Sequence, residues 1–162
     1  FCGKARSSMA IEAVREYMKQ WGVQDRILEF EVSSATVELA AQAVGCEPAR
    51  IAKTLSFFMG DHPILIVAAG DRRVDNHKYK EVFHTKARML TPEQAVELVG
   101  HAVGGVCPFA VKPGVEIYLD ESLRQFDTVF PAAGSSNSAI EVTMEELERF
   151  SGSTNWVDVC KA

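Results

Sequence analysis

Four cysteines in 162 residues are too few and too scattered for a disulfide scaffold. Cys2, Cys46, Cys107 and Cys160 form no C-x-x-C pair, which excludes a zinc knuckle and a thioredoxin-type motif. They read as the reduced thiols of a cytoplasmic protein. The four histidines lack H-x-x-x-H or comparable spacing, so no metal is expected. There is no G-x-G-x-x-G, no Walker loop and no G-x-S-x-G, and no cofactor is expected. No apolar run approaches the ~20 residues of a membrane span. The longest, residues 64–69, has the length of a buried strand. The first residues lack the charged-then-apolar pattern of a secretory leader, so none is expected. Basic residues are in deficit, 17 Lys and Arg against 22 Asp and Glu. That argues against a surface built wholly for nucleic acid, while leaving room for a local basic face. No internal repeat, low-complexity segment or linker is present.

What is present suits one globular domain. Apolar residues make up 47% and charged residues 24%, an ordinary balance for a chain with a buried core. Residues 1–8, ahead of Met9, read as an extension or cloning remnant, and residues 9–162 as the domain. Residues 9–22 carry Ile11, Val14, Met18 and Trp21 at helical spacing and stop at Gly22. Residues 27–32 alternate weakly, as a strand does. Thr36 is suited to cap a helix through Val44, with Gly45 after its end. A short turn is expected over 48–52. Residues 54–59 and 63–69 flank Gly60-Asp61-His62, a hairpin signal. Residues 76–84 suggest a short polar helix. Thr91-Pro92-Glu93-Gln94 opens a helix with a capping box, and Gly100 closes it. Strands are expected over 115–119, 128–130, 140–142 and 156–159, with a helical turn after Asp120. Thr143-Met144-Glu145-Glu146 is a second capping box, opening a helix to about Phe150. Without a βαβ rhythm, these elements give a single α+β domain: a mixed, mostly antiparallel sheet with helices on its outside.

Few residues carry chemistry. Lys53 stands before an apolar strand, where an ammonium meets a phosphate or carboxylate as a mobile point charge, or is merely solvated. Gly104-Gly105-Val106-Cys107-Pro108-Phe109 is the most unusual stretch. Its glycines permit positive φ and close approach of a ligand to the backbone, and Pro108 fixes the chain. Such a loop either turns bare N–H groups toward an oxyanion or is a tight structural turn. Cys107 is a nucleophile only if a base such as His101 folds back onto it; otherwise it is a small buried thiol. Gly134-Ser135-Ser136-Asn137-Ser138 offers hydroxyls and an amide, or forms an ordinary polar turn. Arg72, Arg73, Lys78, Lys80, Lys86 and Arg88, with His77 and His84, form a locally basic stretch offset by Asp75 and Glu81. It suits a nucleic-acid backbone or a solvated helix, with Arg72, Arg73, Lys78 and Lys80 as the docking candidates. Residue types alone leave the reaction unnamed.

The set as a whole resembles the YbaK/EbsC family, the prolyl-tRNA synthetase-associated domain. The resemblance is carried by residues 36–45, then Ile51-Ala52-Lys53-Thr54-Leu55 and Ala69-Gly70-Asp71. Gly100-His101, the 104–109 loop, Ala133-Gly134-Ser135 and Ile140-Glu141-Val142-Thr143 follow, in order across residues 9–150. It implies a partly barrel-like editing fold and a hydrolase that removes a wrongly attached amino acid, commonly alanine or cysteine, from proline tRNA. It implies a free-standing monomer or homodimer acting in trans on aminoacyl-tRNA, with prolyl-tRNA synthetase as a further partner and no membrane. Lys53 is then expected to hold the terminal nucleotide or its phosphate. The G-x-x-x-P loop, here Gly104, Gly105 and on to Pro108, is expected to grip the ester and help position water. A hydroxyl of the tRNA's terminal ribose assists, so no protein nucleophile is implied. Phe30, Thr54, His101, Val106, Cys107, Ser136 and Asn137 are the expected substrate-binding residues, and Met59 and Ile66 the expected core. The cysteine-specific branch carries an Asp just before the Ile-Glu pair and a serine further upstream, where this chain has Ala139 and Ala132. The amino acid removed therefore stays open between alanine, cysteine and another small residue. Two other readings remain: a non-catalytic tRNA- or nucleotide-binding module, and a hydrolase with Cys107 as nucleophile.

Overall fold

The computed structural model describes the backbone of residues 2–162 and the side chains from Ala10 onward. Helix α1 (Cys2–Met18) begins at Cys2 rather than the expected Met9, so the backbone of residues 2–8 continues it. Ile11, Val14 and Met18 are buried on one face, and a 3-10 turn (Lys19–Trp21) carries the chain to Gly22. Strand β1 (Leu28–Glu29) is shorter than the expected 27–32, because Leu28 and Glu29 are exposed and only a two-residue partner holds them. Thr36 caps α2 (Val37–Val44), its hydroxyl accepting from the Leu39 N–H. After a 3-10 turn (Pro48–Arg50), β2 (Ile51–Met59) and β3 (His62–Ala69) form the expected hairpin, with Met59 opposite His62.

A short β4 (Arg73–Val74) precedes α3 (Asn76–Phe83), where Asp75 accepts from the His77 N–H at 3.0 Å. Thr91 and Gln94 close the expected capping box of α4 (Pro92–Gln94), which widens into a π turn (Ala95–Val99) ending at Gly100. Strands β5 (Glu116–Asp120) and β6 (Thr128–Pro131) flank a 3-10 turn (Glu121–Gln125) capped by Asp120. The strand expected over 140–142 is divided into β7 (Ser138–Ala139) and β8 (Val142–Thr143). β7 pairs with β1 and β8 with β6, so the chain changes partner at Ile140, whose N–H turns to the Pro131 carbonyl at 3.0 Å. The Thr143–Glu146 box opens α5 (Met144–Ser151). The expected 156–159 strand is likewise divided, into β9 (Trp156–Val157) and β10 (Cys160–Lys161).

The main sheet has the order β8-β6-β2-β3-β5-β9 and is curled. β2–β3 and β6–β8 are antiparallel, β2–β6, β3–β5 and β5–β9 parallel. The small pairs β1–β7 and β4–β10 are antiparallel. Residues 64–69 of β3 are wholly buried because both faces of the strand are covered. Leu65 and Val67 face the larger core, with Val14 and Met18 of α1 and Leu147 and Phe150 of α5. Ile64, Ile66 and Ala68 face a second core closed by Tyr79 and Phe83 of α3, and Met59 packs at its border. A third cluster sets Ala40 and Ala41 of α2 on Ile51 and Phe130. Cys46, Cys107 and Cys160 are free thiols; the side chain of Cys2 lies outside the described residues. No described helix is long and apolar enough to cross a membrane.

Candidate active site

One edge of β2 is fully paired to β3 from Ala52 to Met59. The other edge is met only at its two ends. β6 pairs there with Ile51 and Ala52 and then leaves. Farther along, residues 88–90 run beside the strand: the Phe58 N–H donates to the Arg88 carbonyl at 2.8 Å and the Leu90 N–H to the Ser56 carbonyl at 3.1 Å. In an antiparallel strand the amide and carbonyl of one residue point to the same side and alternate along the chain. Thr54 therefore turns its backbone groups to the same edge as Ser56 and Phe58, where neither neighbour reaches it. A cleft of ≈ 340 Å³ opens at this gap, a volume suited to a small-molecule group.

The cleft walls are small and apolar. Ala35, Ala40, Ala52, Ala132 and Ala139 line them, with Val37, Ile51 and Phe130, and no carboxylate does. Two hydroxyls in the walls, Ser34 Oγ and Thr54 Oγ1, are buried without a partner among the described residues. A buried hydroxyl left unpaired costs about 1–3 kcal/mol, so both keep unused capacity for a ligand. Lys53 is half-buried on the same wall, and its Nζ donates to the Arg72 carbonyl. Three N–H groups on an ammonium leave two free.

The two loop glycines are required for different reasons. Gly104 has φ +93°, the left-handed region. Gly105 does not, but a Cβ there would stand 2.8 Å from the backbone N, Cα and C of Ser135. The Gly105 N–H donates to the Ala102 carbonyl at 2.9 Å. Gly104 and Val106 line the cleft, and their amides have no protein acceptor among the described residues. A developing oxyanion needs donors of this kind.

The structure brings Lys53, Thr54, Gly104 and Val106 together and sets the other candidates elsewhere. Ser136, exposed beside Gly104, and Asn137 tie down the 30–34 segment. The Phe30 N–H donates to the Asn137 carbonyl at 2.8 Å, Asn137 Nδ2 to the Phe30 carbonyl at 2.9 Å, and the Ser34 N–H to the Ser136 carbonyl at 2.7 Å. Phe30 itself is half-buried and off the wall. Gly105 and Pro108 are buried behind the loop. His101 Nε2 lies 2.8 Å from the Phe109 carbonyl and 3.5 Å from Cys107 Sγ. Burial works against the charged ring; Cys107 and the Phe109 carbonyl outweigh it, and the His101 pKa is pushed up to about 9. The contact that a thiol nucleophile needs thus exists. Cys107, however, is wholly buried in the larger core and off the cleft wall, so its sulfur does not reach an ester bound there. This is the burial expected of the small buried thiol, the other of the two readings.

The docking candidates also divide. Lys78 Nζ pairs with Asp158 at 3.0 Å and Arg72 Nε with Asp71 at 3.5 Å, whereas Arg73 and Lys80 are exposed without a carboxylate partner among the described residues. Wall residues that sequence reasoning missed include Ser34, Val37, Leu90 and Phe130. Their residue types are those of ordinary buried positions, and only the end of β2–β6 pairing places them on a cleft wall. Among the described residues no three His, Cys, Asp or Glu side chains gather as metal ligands.

Residues 31–150 match the family model described as the aminoacyl-tRNA editing domain. The chain is similar to the uncharacterized protein YwhH of Bacillus subtilis (strain 168), with 54% identity over 154 residues, 94% of this chain and 98% of YwhH. It is 26% identical over 160 residues to proline–tRNA ligase of Thermosipho melanesiensis, covering 98% of this chain but 28% of the ligase. In three dimensions it is similar to a crystal structure described as a candidate trans-editing enzyme for prolyl tRNA synthetase. That match has a TM-score of 0.85 and 30% identity, over 94% of this chain and 98% of the other.

Proposed function

The chain belongs to the aminoacyl-tRNA editing domain family, and we propose that it is a trans-acting deacylase that hydrolyses a mischarged small amino acid from tRNA, with proline tRNA as the carrier. One observation carries this reading: the free amides of Gly104 and Val106 share a cleft with Lys53 and Thr54. Water adds through its oxygen to the ester carbonyl carbon. The carbonyl oxygen gathers negative charge, then the bond to the ribose oxygen breaks. Free amino acid and a tRNA with a terminal ribose hydroxyl result. The two amides hold the oxyanion, each well-placed donor lowering the barrier by about 3–4 kcal/mol. Lys53 holds the terminal nucleotide through its ammonium, and the neighbouring ribose hydroxyl orients the water. No protein nucleophile is needed, because the ester is already activated. Similarity to YwhH over nearly its whole length supports action outside a synthetase.

The wall composition favours alanine as the amino acid removed. Ala132 and Ala139 both line the cleft at the positions where the cysteine-specific branch has a serine and an aspartate. A methyl side chain is matched by these neighbours, and neither position offers the polar group that the cysteine-specific branch carries. A hydrophobic pocket distinguishes one methylene by only about 1–3 kcal/mol, so proline must be excluded by shape.

The test is deacylation of alanine, cysteine, serine and proline, each charged on proline tRNA, by wild type and Lys53→Ala. Hydrolysis of the alanyl ester, sparing proline and lost in the variant, is the expected result. Binding of these tRNAs with no turnover of any would sink the deacylase reading and leave a tRNA-binding module.

A further inference from the structure

Most lysines and arginines from Ala10 onward either stand within 4.0 Å of a carboxylate or donate to a backbone carbonyl. Five do neither among the described residues: Arg73, Lys80, Lys86, Arg88 and Lys161, all exposed. They are not scattered. Arg73 and Lys161 face each other across β4–β10. Lys80 is on α3, and Lys86 and Arg88 are on the segment that follows it. These are elements that close the second core, on the face of the sheet opposite α1 and α5.

A pocket of ≈ 380 Å³ lies between α3 and this segment, lined by Asn76, His77, Lys80, Lys86 and Ala87. The acids nearby are occupied: Glu81 pairs with His77 at 2.9 Å, Asp158 with Lys78, and Asp75 caps α3. The segment does not stop at the pocket. Arg88 lies over the Phe58 ring at 4.6 Å, its carbonyl is bonded to β2, and Met89 and Leu90 then line the cleft. From Lys86 to Leu90 an extended chain covers no more than ~14 Å, a distance bridged by a few nucleotides.

We propose that the Lys80–Lys86 pocket, continued by Arg88, binds the sugar-phosphate backbone of the RNA strand whose aminoacylated end enters the cleft. The identity of that RNA rests on the deacylase reading; the phosphate-binding surface does not. A polyanion is the partner these groups fit, because Lys80 and Lys86 line one pocket and Arg88 stands on the segment that leads from it to the cleft wall, in a protein of net charge −5.

The probe is an uncharged RNA hairpin with the proline tRNA acceptor stem and a single-stranded CCA end. Its affinity is titrated against salt for wild type, for Lys80→Gln with Lys86→Gln, and for Lys19→Gln with Arg149→Gln on the opposite face. Loss of two phosphate contacts lowers the slope of log K against log salt by roughly 1.4–1.8. That drop is expected in the first pair and not in the second. Alanyl-tRNA hydrolysis then shows a raised KM with unchanged kcat in the first pair, while a short alanyl-adenosine ester is hydrolysed equally by all three. RNA binding with the slope change but no hydrolysis leaves the docking surface standing and removes the deacylase reading. Hydrolysis with equal slopes and equal KM in both pairs overturns the docking surface alone, and so does the absence of RNA binding by wild type.

Discussion

β2 and β3 are two arms of one hairpin, yet one is core and the other is site. β3 has a strand on each side over residues 64–67 and apolar packing on both faces. β2 has a full partner on one edge and an interrupted one on the other. β2 carries Lys53, Thr54 and Ser56, whereas β3 is apolar from Ile64 to Ala69. The two also differ in where hydrogen-bonded pairing stops. A complete ladder leaves nothing for a ligand, and a gap in it exposes backbone polar groups within an apolar wall.

The comparison breaks most severely at its core arm. Leu65→Ala removes a wholly buried side chain between the two layers, with an expected loss of about 3–5 kcal/mol, read by denaturant unfolding. The site breaks at the loop beside β2, where the overpacked backbone contact costs about 1–3 kcal/mol. In Gly105→Ala the new Cβ meets the Ser135 backbone and pushes the loop off its position. Deacylation is expected to fall by roughly 10²–10³, the effect of one misaligned oxyanion donor, while RNA binding stays near that of wild type. A melting curve beside the rate measurement separates this from unfolding.

A smaller effect sharpens the site arm further. Ala139→Asp puts a carboxylate on an apolar wall. It is expected to lower the alanine-to-cysteine ratio of hydrolysis by roughly tenfold, within the 1–3 kcal/mol one pocket group commands. An unchanged ratio would remove the wall from the specificity argument. The smallest effects lie away from both arms. Thr143→Ala deletes the cap of α5 and costs about 1 kcal/mol, read as a lower Tm. Its capping partner Glu146 gives a pH signature. Arg26 first, then the Thr143 N–H, holds the Glu146 carboxyl down at about 2, from an ordinary 4.5. The stabilisation it provides is full above pH 4.5 and is lost as pH falls toward 2. Glu146→Gln is therefore expected to lower Tm at pH 7 and to change it little at pH 2.

Elements encoded by short-range chemistry are legible in the residues themselves. Both capping boxes, the Thr36 cap, the hairpin and the buried run of residues 64–69 depend on neighbours a few positions apart. The divided strands β7, β8, β9 and β10 are not legible in this way, because two-residue strands exist only through partners far along the chain. The site follows the same rule. Lys53 and the Gly104–Gly105 pair stand out by residue type. Ser34, Leu90 and Phe130 do not, since a wall residue looks like any core residue until pairing stops beside it. His101 and Cys107 show a third limit: their spacing permits the contact they make, but it does not tell which side of the loop they face.

The contact between Gly105 and Ser135 has a mechanical consequence. With no room for even a methyl group between them, the Gly104–Pro108 loop and the 134–138 loop interlock like the teeth of a closed zip. The second loop is fastened in turn to residues 30–34. Three stretches remote in sequence are thus clasped into one continuous margin beside the cleft, and a substitution in any of them is felt by the other two.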